Sequence, residues 1–358
     1  MRAYLISLIA LLTGVFALNS LVDVSGLGTF DEIYGLALGQ GPRDVLVWEE
    51  SFDQRAWVKA MVEKSASCDV LILGSSTVGG FSSEMFPGRR VLNGWLSNAT
   101  VEDFEAIAYL LESHPSCRPK TVVFGVDHWL LNPKFNERRW LSLDHEVQRY
   151  GGKSRVQLAA TSFVKAWEQL KERLNFTTTR ATILFLASHS GPHERPRLVH
   201  DALPAYCREQ KTSPVLRFAD GHFSYCPQFE PTHVDARTAA VNYVPQDSHG
   251  IRGWERVDPE RVARLSAVSR RLEALGAKIV YVAPPFHPVT YRDLGRSTSI
   301  HRSFDALDAL LGKLSAENGA TYVNLRNPVA AGCADDEFRD SHHSAPACMA
   351  KVANSLLR

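Results

Sequence analysis

The sequence predicts an α/β fold. A mainly parallel five-stranded sheet lies between helices, is interrupted by one large insertion and is preceded by an apolar N-terminal segment. Two observations carry the sheet: short continuous apolar runs rich in β-branched residues, and amphipathic helical stretches that alternate with them. A third observation, an uncharged apolar run at the very start, sets that segment apart from the globular body. The chain has 358 residues, enough for two domains or for one large domain with an insertion. With 45% hydrophobic and 22% charged residues it is a folded globular protein. A net charge of +1 excludes a broadly basic nucleic-acid binder, and the lack of a repeating period excludes a solenoid or propeller.

In chain order, residues 3–18 are uncharged and mostly apolar, follow Arg2, and extend past Asn19 and Ser20 through Leu21, Val22 and Val24. Two readings compete. Val15-Phe16-Ala17 offers a small-residue cleavage site for a secretory signal. The lack of a helix breaker or a clean A-x-A site favours an uncleaved anchor, its positive end left in the cytoplasm. A buried core helix is the third reading. Residues 1–24 are therefore read as anchor or signal, 25–65 as a linker with a packing helix, and 66–358 as the catalytic-type domain.

Val70-Leu71-Ile72-Leu73-Gly74 is a strand buried on both faces, and Val91-Leu92-Asn93-Gly94 is the second. Val101, Phe104, Ile107, Ala108 and Leu111 recur at helical spacing over Val101–Ser113, with Thr100 and Asp103 as a capping pair. The third strand covers residues 121–126. An amphipathic helix over 259–275, closed by Gly276, leads to the fourth strand at Lys278–Ala283. A helix over 303–318, closed by Gly319, leads to the fifth strand at 321–325, and a last helix covers 345–357. Residues 128–256 break this rhythm. They hold one clear helix, over 163–174, and much Pro-, His- and Gly-rich sequence, and they read as an insertion after the third strand holding Cys207 and Cys226 together.

The six cysteines form no C-x-x-C and no zinc spacing. In an oxidising compartment they read as three bridges, with the connectivity open; buried reduced thiols are the alternative.

Ligands of open parallel sheets bind beyond the carboxyl ends of the strands. There the sequence places Gly74-Ser75-Ser76-Thr77, Asn93-Gly94-Trp95 and Gly125-Val126-Asp127-His128, and further on Arg339-Asp340-Ser341-His342-His343. Asp340 and His343, three apart, share a face of a turn, so the carboxylate can orient the imidazole toward a serine from the first strand. Val78 stands where a G-x-S-x-G elbow needs its last glycine, which argues against an α/β-hydrolase. Each residue also has a plainer role: turn or cap serines, Asp340 capping the final helix, a surface His343, and Trp95 and Trp129 as core rings rather than sugar platforms. His342 with His343 would be half of a metal site, with no third ligand at a fitting spacing, so neither metal nor cofactor is expected.

The set resembles the SGNH (GDSL-like) hydrolase superfamily, in particular its membrane-anchored, exported branch that transfers acyl groups in the cell envelope. The residues carrying the likeness are Gly74-Ser75-Ser76, Asn93-Gly94, Gly125-Val126-Asp127, the proline-bearing loop Pro284-Pro285-Phe286-His287-Pro288, and Asp340-x-x-His343. It covers residues 66–358 apart from the insertion. It implies a three-layer α/β/α fold with Ser76 as nucleophile, His343 as base and Asp340 as its orienting partner. It places the amides of Ser76 and Gly94 in an oxyanion hole. Ser75 stands in the aspartate place of the Gly-Asp-Ser block. Asp127 stands where the family often has an asparagine donor; it, His128 and Trp129 are the candidates for substrate contact. In the family's sheet the first and third strands are neighbours, which implies a Cys68–Cys117 bridge and leaves Cys207–Cys226 and Cys333–Cys348 as the sequence-local remainder. The function implied is a serine-dependent acyltransferase acting on an envelope polysaccharide or glycan, anchored in a bacterial inner membrane with its domain in the periplasm and served by a membrane-bound O-acyltransferase as acyl donor. The alternatives are a periplasmic esterase or deacetylase released after signal cleavage, and a non-catalytic binding or scaffold protein on the same fold.

Overall fold

A computed structural model describes residues 2–22, 30–48, 53–152, 167, 170–171, 173–188, 196–201, 203–211, 214–252 and 256–356. The strands are β1 (Asp44–Trp48), β2 (Val70–Leu73), β3 (Val91–Asn93), β4 (Thr121–Gly125), β5 (Arg197–His200), β6 (Val215–Arg217), β7 (Phe223–Tyr225), β8 (Lys278–Ala283) and β9 (Thr321–Asn324). Five of them form a parallel sheet in the order β3-β2-β4-β8-β9. Its register pairs Val70 with Val91 and with Thr121, Thr121 with Lys278, and Val280 with Thr321. Short 3-10 turns join β2 to β3 and helices join the later strands, and every residue of β2 is buried, as its unbroken Val-Leu-Ile-Leu run requires.

The local signals hold in detail. Thr100 and Asp103 form a reciprocal capping box on the helix Val101–Ser113. Inside the fold, Asp103 also takes a fork of two 2.8 Å bonds from the buried Arg55, tying the helix Gln54–Lys64 to Val101–Ser113. The helix read from residue 303 begins earlier, at Thr298, because Ile300 extends the buried stripe of Phe304, Leu307, Leu311 and Leu314 by one turn.

The segment expected to be a linker with a packing helix holds more. Helices Phe30–Gly39 and Gln54–Lys64 flank β1, which lies inside a second, antiparallel sheet of order β5-β1-β6-β7. The other strands of that sheet come from the insertion, so a segment that precedes the parallel sheet folds together with one that lies between β4 and β8. The sheet docks on the parallel one at its β3 edge, where the Asn93 amide donates to the Asp220 carbonyl at 2.7 Å. At Gly221 (φ +94°) a Cβ would lie 2.0 Å from the Asn93 carbonyl oxygen, so only glycine permits this approach. Arg217 is fully buried between the rings of Trp57 and Trp95, 4.2 and 4.4 Å from their centres, and donates to the Trp95 carbonyl at 2.8 Å. The helix read over 163–174 falls largely outside the described residues.

Disulfides join Cys68 to Cys117, Cys207 to Cys226 and Cys333 to Cys348. The first follows from β2 lying beside β4, which brings the segments entering both strands to the same end of the sheet. The N-terminal helix Arg2–Val22 contains an 18-residue stretch of mean hydropathy 1.9, only 6% of it buried, long and apolar enough to cross a membrane. Its polar interruption, Asn19, is buried and donates to the Arg173 carbonyl (2.6 Å) and the Thr179 hydroxyl (2.9 Å). The far end of the apolar helix is thereby fastened to the insertion helix Phe176–Ser188.

Candidate functional site

Gly74 follows β2 directly, and Ser76 opens the single turn Ser76–Val78 beyond it. A Cβ on Gly74 would lie 2.7 Å from Val78, and one on Gly125 would lie 2.5 Å from it. Val78 thus fills the place between the ends of β2 and β4 that two glycines leave open. Ser75 caps the turn by accepting from the Thr77 amide at 3.2 Å. As its first residue, Ser76 has an N–H with no acceptor inside the turn, while its side chain stays partly exposed.

The second half of the site is the loop between the Cys333–Cys348 bridge ends, closed by a bridge between Phe338 and Ser344. One Asp340 oxygen accepts from the backbone amides of His342 (2.9 Å) and His343 (2.8 Å). The other lies 2.6 Å from His343 Nδ1, and His343 Nε2 lies 2.8 Å from Ser76 Oγ. With the proton on Nδ1, facing the carboxylate, Nε2 accepts from the serine. Asp340 therefore caps its own turn rather than the final helix. Burial works against charge on His343, but the Asp340 carboxylate more than offsets it and holds the imidazole above its ordinary value. Burial also works against charge on Asp340, yet His343 and the backbone amides hold it well below the usual carboxylate range.

The loop is buttressed by the insertion. Arg339, nearly buried, makes a two-pronged contact with Glu230 at 2.8 and 2.7 Å, lies over the rings of Phe223 and Tyr225, and donates its amide to the His343 carbonyl. Behind His343 stands a layer of rings. His342 is 4.1 Å from His343, His249 is 5.1 Å from His342, and Trp129 stacks on His249 at 4.4 Å. Tyr243 meets His342 from the other side, at 5.3 Å. Burial lowers His342 well below the ordinary imidazole value and takes His249 to about 4. This layer is therefore neutral at neutral pH.

Two sequence expectations are corrected. The Gly94 amide is not free for an oxyanion, because it continues the ladder between β2 and β3 by donating to the Ile72 carbonyl at 2.8 Å. The candidates for substrate contact are interior. Asp127 accepts from Ser75 Oγ (2.6 Å) and Thr77 Oγ1 (3.1 Å), fixing the turn that presents Ser76. Burial pushes its carboxyl up to about 6 against those hydrogen bonds and the charges of His343 and Arg326. His128 and Trp129 are buried, 1% and 2% exposed, within the ring layer. Asp340 also supplies the third ligand-type group that spacing did not reveal beside His342 and His343. Donor atoms of the three lie within 4.8 Å of one another, with both His343 nitrogens in the chain from Asp340 to Ser76.

Sequence reasoning missed Glu230, Tyr243 and His249. All lie in the insertion, where no period placed them near the sheet; the left-handed backbone at Asp247 and His249 is likewise a property of the fold rather than of a motif. Comparison of the sequence with known protein families and with curated proteins finds no match.

Proposed function

We propose that this chain is a serine-dependent acyl-transfer enzyme working on the outer face of a bacterial inner membrane. The observation that carries the reading is the continuous chain from Asp340 through His343 to Ser76, at 2.6 and 2.8 Å. Ser76 Oγ attacks an acyl carbonyl while His343 Nε2 takes its proton. The Ser76 amide faces the developing oxyanion. His343 passes the proton to the leaving group, which departs and leaves an ester on Ser76. An acceptor hydroxyl then gives its proton to His343 and attacks the ester; Ser76 recovers the proton as the acylated product leaves. By the resemblance to SGNH envelope enzymes, the acceptor is an envelope polysaccharide or glycan and the donor a membrane-bound O-acyltransferase.

Three bridges support export, since such bonds persist in oxidising compartments. The Asn19 bonds to the insertion favour a retained anchor over a discarded signal. The engaged Gly94 amide favours a second reading, a non-catalytic binding protein, because it removes one of the two expected oxyanion donors. The full chain, in detergent, is incubated with an activated acetyl ester or a serine-directed phosphonate, and intact masses are taken for wild type and Ser76→Ala. An adduct confined to wild type is expected. A folded wild type that takes no adduct refutes the enzyme reading and leaves the binding protein. Adding an oligosaccharide then separates transfer from hydrolysis, the esterase alternative.

A further inference from the structure

The insertion helix Phe176–Ser188 carries its polarity the wrong way round for a helix that faces water. Thr178 and Thr182, four residues apart, are buried, while Phe176 and Ile183 on the other face are 81% and 54% exposed. Leu186, beyond them, is 43% exposed. From Ala181 to Ser188 the sequence holds no charged residue. Apolar side chains left exposed in such a run mark an interaction surface.

Its position says what covers that surface. Asn19, in the last turn of the apolar N-terminal helix, donates to Arg173 and Thr179 at the start of the insertion helix, and the two helices pack on each other. One turn back along the N-terminal helix Val15 is partly covered, and further along the insertion helix Thr182 is fully buried. The contact therefore extends toward the middle of the N-terminal helix, which brings the uncharged end of the insertion helix beside the apolar stretch. At 13 residues the insertion helix is about 20 Å long, too short to cross a hydrocarbon core of about 30 Å. Residues 181–188 cover about 12 Å, most of one leaflet's share of that core. Their backbone groups are satisfied within the helix, as hydrocarbon demands. Arg180, exposed one residue before the run, can reach lipid phosphates, and residues 153–180 hold six basic against two acidic residues, which matches an anionic surface. We propose that residues 181–188 sit in an anionic phospholipid bilayer, in the leaflet facing the domain, beside the anchor. The domain is then fixed to the membrane at two points instead of hanging from one. The inference rests on the N-terminal helix crossing the membrane and is independent of the chemistry at Ser76.

Single new cysteines read where each segment lies, since the six native cysteines are bridged. Ile183→Cys, Leu186→Cys, Leu12→Cys on the anchor and Val234→Cys on the helix His233–Tyr243 all replace exposed residues, so packing is kept, and a thermal melt checks the fold. Each full chain is labelled with nitrobenzoxadiazole in detergent and reconstituted into phosphatidylcholine–phosphatidylglycerol vesicles. Labels at positions 183 and 186 are expected to emit further to the blue than the label at 234. They are expected to lose emission to lipids carrying a nitroxide on the acyl chain, and to be spared by iodide present on both sides of the bilayer. The label at 234 behaves the opposite way. With the label at 12 embedded in lipid, iodide quenching at 183 or 186 overturns the inference and leaves the anchor standing. Labels at 183 and 186 shielded from iodide and nitroxide alike also overturn it, because a second copy of this chain then covers the helix. Iodide quenching at 12 as well overturns the anchor and this inference together.

Discussion

Replacing Asp340 by Asn tests the candidate triad at its least replaceable point. In the wild type the carboxylate makes three bonds, to His343 Nδ1 at 2.6 Å and to the amides of His342 and His343 at 2.9 and 2.8 Å. The carboxamide oxygen can keep the two backbone donors, so the turn survives and the stability cost is about 1–2 kcal/mol for one weakened charge-assisted bond. The chemistry does not survive. The amide NH2 now faces Nδ1 and forces that nitrogen to accept, which puts the imidazole proton on Nε2, pointing at Ser76. The histidine then opposes the serine proton instead of receiving it, a change worth roughly ten-thousandfold in acylation rate. The assay is the burst of nitrophenol from nitrophenyl acetate, with intact mass for the acyl-Ser76 species and a thermal melt to show the fold. The pH profile adds a second readout. His343 sits above its ordinary value and only its neutral form accepts a proton, so the wild-type rate climbs as pH rises through that elevated pKa. The same raised pKa stabilises the fold below the ordinary histidine value of about 6.5, and that contribution is lost as pH rises through the folded-state value. In the Asn variant the residual rate climbs at lower pH. A folded Asp340→Asn protein acylated within about tenfold of wild type would refute the reasoning.

Other expectations follow from single contacts. Asp127, raised from 3.8 to about 6 by burial, binds its proton more tightly in the folded state. The associated stability is present below about 3.8 and lost as pH rises through 6, so Asp127→Asn gains on wild type by about 2.5 kcal/mol between pH 4 and 7.5 in urea denaturation; an equal gap at both ends refutes the buried-carboxylate account. Opening Cys68–Cys117 by a double Ala replacement frees a span of 49 residues, and a loss of about 4 kcal/mol is expected in the same experiment. Glu230→Gln strips Arg339 of its partner and slackens the loop bearing Asp340 and His343. It costs about 1–2 kcal/mol, since Glu230 reaches solvent, and lowers the acylation rate without changing its pH profile.

The central parallel strands were legible because a strand buried on both faces must be largely apolar, as Val70–Leu73 is and as residues 279–283 are after the exposed Lys278. The helix Val101–Ser113 was legible because its cap, Thr100 with Asp103, is local chemistry. Ser76, Asp340 and His343 were legible as a set because each sits at a strand end or on a short turn, where spacing maps onto geometry. β1 was not, because a five-residue strand becomes one only when β5 and β6 arrive from about 150 residues away. Gly94 misled because the same amide can serve a ladder or a ligand, and only the register of β3 against β2 selects between them.

By itself, then, the sequence determined what is encoded locally: the strand runs, the caps, the apolar N-terminal helix and the residue types for an activated serine. The tertiary structure decided what depends on distant segments meeting. It turned Asp127 onto Ser75 and Thr77, buried His128 and Trp129 behind the histidine, and set Glu230 under the loop that carries it. Hydrogen-bond partners and burial are properties of neighbours in space, and a chain that folds two sheets from interleaved segments does not list those neighbours in its order.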